Sequence, residues 1–349
     1  LKKTSVIAIN LKSARIPIVI SLFVLSALTS SFLSKASPPL ELSADIVHAL
    51  ISCGSALTGE LSSHTGVFSL LEKSQLQQTS ASKAPVAPPP APTSDNKEIL
   101  SRSPKQAADS RVEISNSTKH PISYENFLSP KPAFLNDKFS VLIVHTHTTE
   151  SYTPSQSFAY SPTDTDRTTD KNFNMVRVGD EIEKVLTQHG ITVYHDTTIN
   201  DYPSYNGSYN RSASNITNYI KNDPSIKIVL DVHRDAIEGA NGEKVKYTSD
   251  IDGKQAASIM LVVGSSLSGL THDNWEENMR FAVQLQRHTA SLYPSLCRPI
   301  NFRSQRFNQQ LAPGGIIVEV GTNGNTLDEA LLGAHYFAVS LADFIENHS

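Results

Sequence analysis

Cysteine is nearly absent. Cys53 and Cys297 are the only two in 349 residues, and no CxxC pair occurs. Two cysteines cannot build a disulfide framework, and Cys53 lies far upstream of the part of the chain patterned to fold, where Cys297 reads as a small buried apolar residue. HExxH is missing, which excludes a zincin helix, and neither GxSxG nor a P-loop is present. Catalysis by serine or cysteine therefore has no motif behind it. Positive charge is not in excess either: 30 Lys and Arg stand against 34 Asp and Glu. A net charge of −4 offers no basic footprint for nucleic acid.

Charge is also lacking, locally, from residue 16 to residue 33, directly after Lys2, Lys3, Lys12 and Arg15. A positive flank followed by about 18 uncharged residues is just long enough to cross a bilayer. The expectation is a single-pass anchor at the cell membrane, with the rest of the chain extracytoplasmic. A cleaved signal, cut near the small-x-small triplet Ser34-Lys35-Ala36, is the alternative and would make the protein secreted. The chain then divides into four: 1–37 as cytoplasmic N-terminus and anchor or signal, 38–72 as a juxtamembrane segment, 73–123 as a linker, and 124–349 as the folded catalytic domain. The linker is rich in Pro, Ser and Ala and contains APVAPPPAP at 84–92. Such a stretch buries too little apolar surface to fold and favours extended polyproline II.

Within 124–349 strands and helices alternate. Apolar runs at 140–144, 191–195, 227–232, 258–264 and 315–320 read as strands. Helical spacing covers 172–189, 211–221, 274–293 and 326–347. This alternation, with near-continuous apolar strands, predicts an α/β fold: a mostly parallel twisted sheet flanked by helices on both faces. In such sheets, sites form outside the carboxyl ends of the strands.

Polar residues stand at those ends in VLIVHTHTTE (141–150), KIVLDVHRDA (227–236) and GGIIVEVG (314–321). His147, Glu150, His233 and Glu319 are the candidates. Two imidazoles and a carboxylate make a zinc site with one open position, and a further carboxylate can act as general base. Strand alternation puts His145 on the side of His147, so the two compete as ligand. Asp231 or Asp235 can accept the free N–H of His233. Glu319 interrupts an apolar strand, where a carboxylate needs a partner; a cation would be one, and Arg234 or Arg306 another.

Several long segments together resemble the stage II sporulation protein P family: HTHTTESYTPS (145–155), VRVGDEI (176–182), HDTTINDYPSYNGSYNRS (195–212), IVLDVHRDA (228–236), HDNWEENM (272–279), YPSLCRPI (293–300) and RFNQQLAPGGIIVEVGTNGNTLDEA (306–330). The resemblance implies an amidase-like fold and a membrane-anchored peptidoglycan hydrolase. The activity implied is that of a zinc-dependent N-acetylmuramoyl-L-alanine amidase, with stem-peptide endopeptidase activity, acting at engulfment in endospore formation. It implies Zn2+ as cofactor, with His147, Glu150 and His233 as its ligands and Glu319 as the catalytic base. Glu150 departs from the wider amidases, whose acidic ligand lies further from the first histidine; Asp164, Asp166 and Asp170 are its rivals. The implied partners are peptidoglycan, the membrane, a stage II sporulation protein D-like lytic transglycosylase and a stage II sporulation protein M-like membrane protein. For a bound substrate, Arg234 and Arg306 are candidates to hold carboxylates. Asn308 and Gln309 are candidates to hydrogen-bond a stem peptide. Tyr202, Tyr205 and Tyr209 line a glycan groove or pin a loop.

Overall fold

The structure is a computed structural model that describes residues 99–104, 112–163 and 165–348. The anchor or signal at 16–33, the juxtamembrane segment, Cys53, Asp164 and most of the linker lie outside those residues. Among the described residues no helix is long and apolar enough to cross a membrane.

Ten strands are described: β1 Ile99–Arg102, β2 Ile114–Asn116, β3 Ser140–Val144, β4 Val193–His195, β5 Ile226–Asp235, β6 Lys244–Ile251, β7 Lys254–Ala257, β8 Ile259–Val263, β9 Ile300–Phe302 and β10 Gly314–Thr322. The α-helices are α1 Met175–Gln188, α2 Ser208–Asn222, α3 Trp275–Leu292 and α4 Leu327–His348. Seven strands make the main sheet, in the order β2-β9-β8-β10-β5-β3-β4; β1, β6 and β7 form a smaller one. Strands β10, β5, β3 and β4 run parallel, as do β2, β9 and β8, but β8 meets β10 antiparallel. The sheet is therefore mixed: five of its six pairings are parallel, in keeping with the mostly parallel expectation, and the β8–β10 pairing is the exception. Apolar runs buried on both faces look alike in either direction, so composition does not reveal a reversed strand. Strands β1 and β2 fall inside 73–123: β1 pairs with β6 and β2 with β9, so part of that stretch is ordered against the domain.

Alternation along the strands sorts the two faces. Val141, Ile143, Ile228, Leu230, Leu261, Val263, Ile316 and Val318 join α1, α3 and α4 in the large core. On the other face, Leu142, Val144 and Val229 pack against Ile216, Tyr219 and Ile220 of α2. Further along that second face, Met260 and Val262 of β8, Ile317 of β10 and Phe307 form a separate small apolar cluster without a helix in it.

Helix α1 shows how local chemistry sets the frame. The Asn174 side chain accepts from the Val176 amide at its start, and Gly190 past its end takes a left-handed φ of 75°. Met175, Val178, Ile182, Val185 and Leu186 are its buried side. Gly179, in its middle, leaves room for a histidine pair. A Cβ there would stand 2.5 Å from His195 Nε2 and 2.7 Å from His145 Nε2. Alanine normally gains about 1 kcal/mol over glycine in a helix, but overpacking a core costs about 1–3 kcal/mol. Gly179→Ala is expected to lower the denaturant midpoint, with a net loss of about 1 kcal/mol; an unchanged or raised midpoint would show that the pair has slack.

Candidate metal and catalytic site

The three parallel strands β3, β5 and β10 bring their carboxyl ends together. Strand β3 stops at Val144, and residues 146–149 turn. That turn breaks the alternation that made His145 and His147 equivalent. His145 stays on the α1 side, fully buried, with Nδ1 3.0 Å from the Val232 carbonyl and Nε2 2.8 Å from His195 Nε2. Burial pushes its pKa down to about 3, with the His195 charge adding to the effect. His147 emerges on the other side. The turn is held by Thr146, which donates through its amide (2.8 Å) and its hydroxyl (2.6 Å) to Asp231 of β5. Thr149 likewise donates through both groups to Asp201.

His147, Glu150, His233 and Glu319 line one cavity of about 730 Å³. His233 lies within β5, two residues before its end, and sits directly opposite Glu319 in the β5–β10 register. The ring centroids of His147 and His233 are 5.2 Å apart and nearly perpendicular. Tyr205 stacks on His147 at 4.5 Å, with its hydroxyl 3.0 Å from Nε2. Glu150 Oε2 is 3.5 Å from His233 Nδ1 and accepts from the Arg234 amide; Oε1 accepts from Arg167 at 3.3 Å. Of the two aspartates flanking His233, Asp231 approaches Nε2 at 2.9 Å, whereas Asp235 pairs with Arg298 at 2.9 Å.

The electrostatics show a pocket that demands positive charge. Burial opposes ionisation of Glu150, yet His233 and Arg234 outweigh it and bring its pKa to about 2. Burial likewise opposes charge on His233, yet Asp231 and Glu150 hold its pKa well above the ordinary imidazole value. For His147, burial and then the His233 charge push the pKa down. Burial pushes Glu319 up to about 8, against the pull of His233 and with the push of Glu150. Glu319 is partly buried as a residue, but its Oε2 is shut from solvent and has no hydrogen-bond partner. His147 Nδ1 is equally buried and unpartnered, whereas His233 Nε2 faces Asp231 at 2.9 Å. Orphaned buried polar atoms are rare. Two around one cavity, with two imidazoles and two carboxylates, fit a zinc ion and an acid–base carboxylate. A second group, Asp180, Glu183 and His195, has donor atoms all within 4.8 Å of one another; His195 Nδ1 there meets Asp180 at 3.4 Å and Glu183 at 3.2 Å.

The four candidate substrate contacts are placed differently from expectation. Arg234 lines the cavity, but its guanidinium donates to the carbonyls of Ser151, Thr165 and Asp166, so it fastens a loop. Arg306 donates to the Thr271 carbonyl, Asn308 to the Tyr209 carbonyl and Ser212, and Gln309 to the Val262 carbonyl. None of these three lines the cavity. Their polar groups brace the backbone beneath the site, as buried amides usually do. Of the rival acidic ligands, Asp166 is bound to Lys244 and Asn323, and Asp170 caps its own turn through Asn172. Sequence reasoning missed Arg167, which joins Asp201 (2.5 Å) to Glu150 and lies over Tyr205. It also missed Arg303; no short-range pattern marks either.

A model of the family "Stage II sporulation protein P" matches residues 54–342. Stage II sporulation protein P of Bacillus subtilis (strain 168) is 28% identical over 211 residues, covering 57% of this chain and 49% of that protein. The chain thus spans about half the length of the curated relative it matches. Among solved structures, the N-acetylmuramoyl-L-alanine amidase AmiC2 of Nostoc punctiforme aligns at 11% identity and a TM-score of 0.35 over 60% of this chain and 97% of its own. The amidase Ami1 of Mycobacterium smegmatis aligns at 12% and 0.37, again over 60% and 97%. The CwlD amidase of Clostridioides difficile, solved with the GerS lipoprotein, aligns at 10% and 0.36 over 60% and 99%. These structural likenesses are too faint to assign a function.

Proposed function

The chain belongs to the stage II sporulation protein P family, and from that premise we propose that it is a peptidoglycan hydrolase acting in endospore formation, a zinc-dependent N-acetylmuramoyl-L-alanine amidase that also cuts stem peptides. The observation that carries the reading is the cavity that gathers His147, Glu150, His233 and Glu319 around two unpartnered buried polar atoms, His147 Nδ1 and Glu319 Oε2. The proposal extends to the N-terminal segment as a membrane anchor that keeps the domain extracytoplasmic, with the stretch of 73–123 upstream of β1 as its spacer. It also extends to a lytic transglycosylase and a membrane protein, like stage II sporulation proteins D and M, as partners.

His147, Glu150 and His233 would hold the zinc ion, which when bound supplies Lewis-acid polarisation of the substrate carbonyl and of water. His233 and Arg234 keep Glu150 ionised, and Arg167 and the Arg234 amide aim it. Asp231 holds the His233 ring from behind and is itself fixed by Thr146. Glu319 takes a proton at its unpartnered Oε2 and returns it to the leaving amine. Tyr205, stacked on His147, walls one side of the cavity.

Digestion of purified peptidoglycan by the zinc-loaded chain, followed by mass analysis of the products, tests the reading. Free lactyl groups with released stem peptides are expected. Shortened peptides alone would make the protein a zinc peptidase, and no products at all would make it a wall-binding module.

A further inference from the structure

The catalytic cavity continues along a stretch of the sheet whose apolar cluster holds no helix residue among the described residues, and its charges do not all balance. Period-two alternation puts His233 of β5, Ile317 and Glu319 of β10, and Met260 and Val262 of β8 on one face. All five line the cavity. On β9, Ile300 and Phe302 point into the large core, so Asn301 and the following Arg303 point the other way, and both line the same cavity. The floor between Glu319 and Arg303 is the apolar cluster of Met260, Val262, Ile317 and Phe307.

Every other cation of this cavity is occupied. Arg167 is paired with Asp201 and Glu150, Arg234 is spent on carbonyls, and His233 lies between Asp231 and Glu150. Arg303 is half-buried, and among the described residues no carboxylate or carbonyl accepts from its guanidinium. Its backbone is fixed: its amide donates to the Val263 carbonyl at 2.9 Å, and its carbonyl accepts from the Ser265 hydroxyl at 2.9 Å. A guanidinium held on a rigid strand end, over an apolar floor and without an anion, is arranged to take one from outside.

We infer that Arg303 anchors a free carboxylate of the substrate peptide. The inference rests on the hydrolase reading and names what that site recognises. Glu319 pairs with Met260, and Arg303 follows the last β8–β9 pair, Val263 with Phe302, by one residue. The backbones of Glu319 and Arg303 are therefore roughly 16 Å apart, at ~3.3 Å per residue and ~4.8 Å per strand. Both side chains line the one cavity. A guanidinium at that distance meets a carboxylate within about five residues of an extended peptide, at ~3.3–3.6 Å per residue. The substrate class is thus an acidic stem peptide, read by its free carboxylates, and amidation of those groups removes the recognition.

The test compares the zinc-loaded wild-type chain with R303A and R303K. The substrates are a muropeptide with free stem carboxylates and the same muropeptide with them amidated. Turnover is measured together with calorimetric binding. The wild type should favour the acidic form. R303A should raise KM for that form by about ten- to hundredfold, the range of a charge-assisted hydrogen bond, and erase the preference; R303K should recover part of it. An unchanged KM in R303A, or an equal loss on both substrates, would overturn the anchor and leave the hydrolase intact. Acidic peptide bound in an Arg303-dependent way but never cleaved would support the anchor and sink the hydrolase. Neither binding nor cleavage would overturn both.

Discussion

Glu319→Gln is expected to remove turnover, by about 10³-fold or more in kcat, while the protein keeps its zinc. Glutamine has the shape of glutamate but cannot take a proton, and a positioned general acid–base group contributes about 10²–10⁴-fold. The backbone gives the change little room to act structurally. Val318 and Val320 on either side are fully buried, and β10 is paired along both edges, to β5 and to β8. The Glu319 Oε2 has no hydrogen-bond partner to lose, so the effect is chemical. Metal content read alongside the rate separates the roles. Activity within tenfold of wild type would remove Glu319 from the chemistry, and a loss of zinc would move it among the ligands.

His233→Ala is expected to lose both zinc and activity, and added zinc should not restore either. His233 is the centre of the buried charge arrangement, with Asp231 at 2.9 Å and Glu150 at 3.5 Å. Its side chain is 5% exposed, so solvent does little to screen those contacts. Removing it strands Asp231 close to the cavity. Breaking such a buried pair from one side costs about 3–5 kcal/mol, so the variant should also unfold at a lower denaturant concentration. Chelation of the wild type distinguishes metal loss from misfolding: activity should fall to background and return with zinc. Full activity in chelator would contradict the metal reading without any mutation.

Much of this was legible in the sequence because strand ends and helix periods leave local marks. Strand β3 is found at 140–144 as expected, and α3 and α4 fall within one or two residues of their periodic segments. His147, Glu150, His233 and Glu319 stood out because each puts a polar group where an apolar run ends or is interrupted. What stayed hidden depends on contacts between distant residues. Whether His145 or His147 faces the cavity is decided by a turn, and that turn is fixed by Asp231, 85 residues on from Thr146. Strand β8 reverses against β10, yet its SIMLVVG reads the same in either direction. The β6–β7 hairpin, Lys244–Ala257, carries Lys, Ser, Asp and Gln in a half-exposed pattern too weak to register as strands. Arg234 looked available for substrate because a sequence does not show which guanidinium will find three carbonyls, and Arg303 was overlooked because it does not show which will find none.

Anomalous scattering at the zinc edge, from crystals of the zinc-loaded protein, shows directly where the metal sits. A strong peak is expected in the cavity, bounded by the side chains of His147, Glu150 and His233, with Glu319 beside it but not bound. A peak confined to Asp180, Glu183 and His195, or a cavity without one, would contradict that placement.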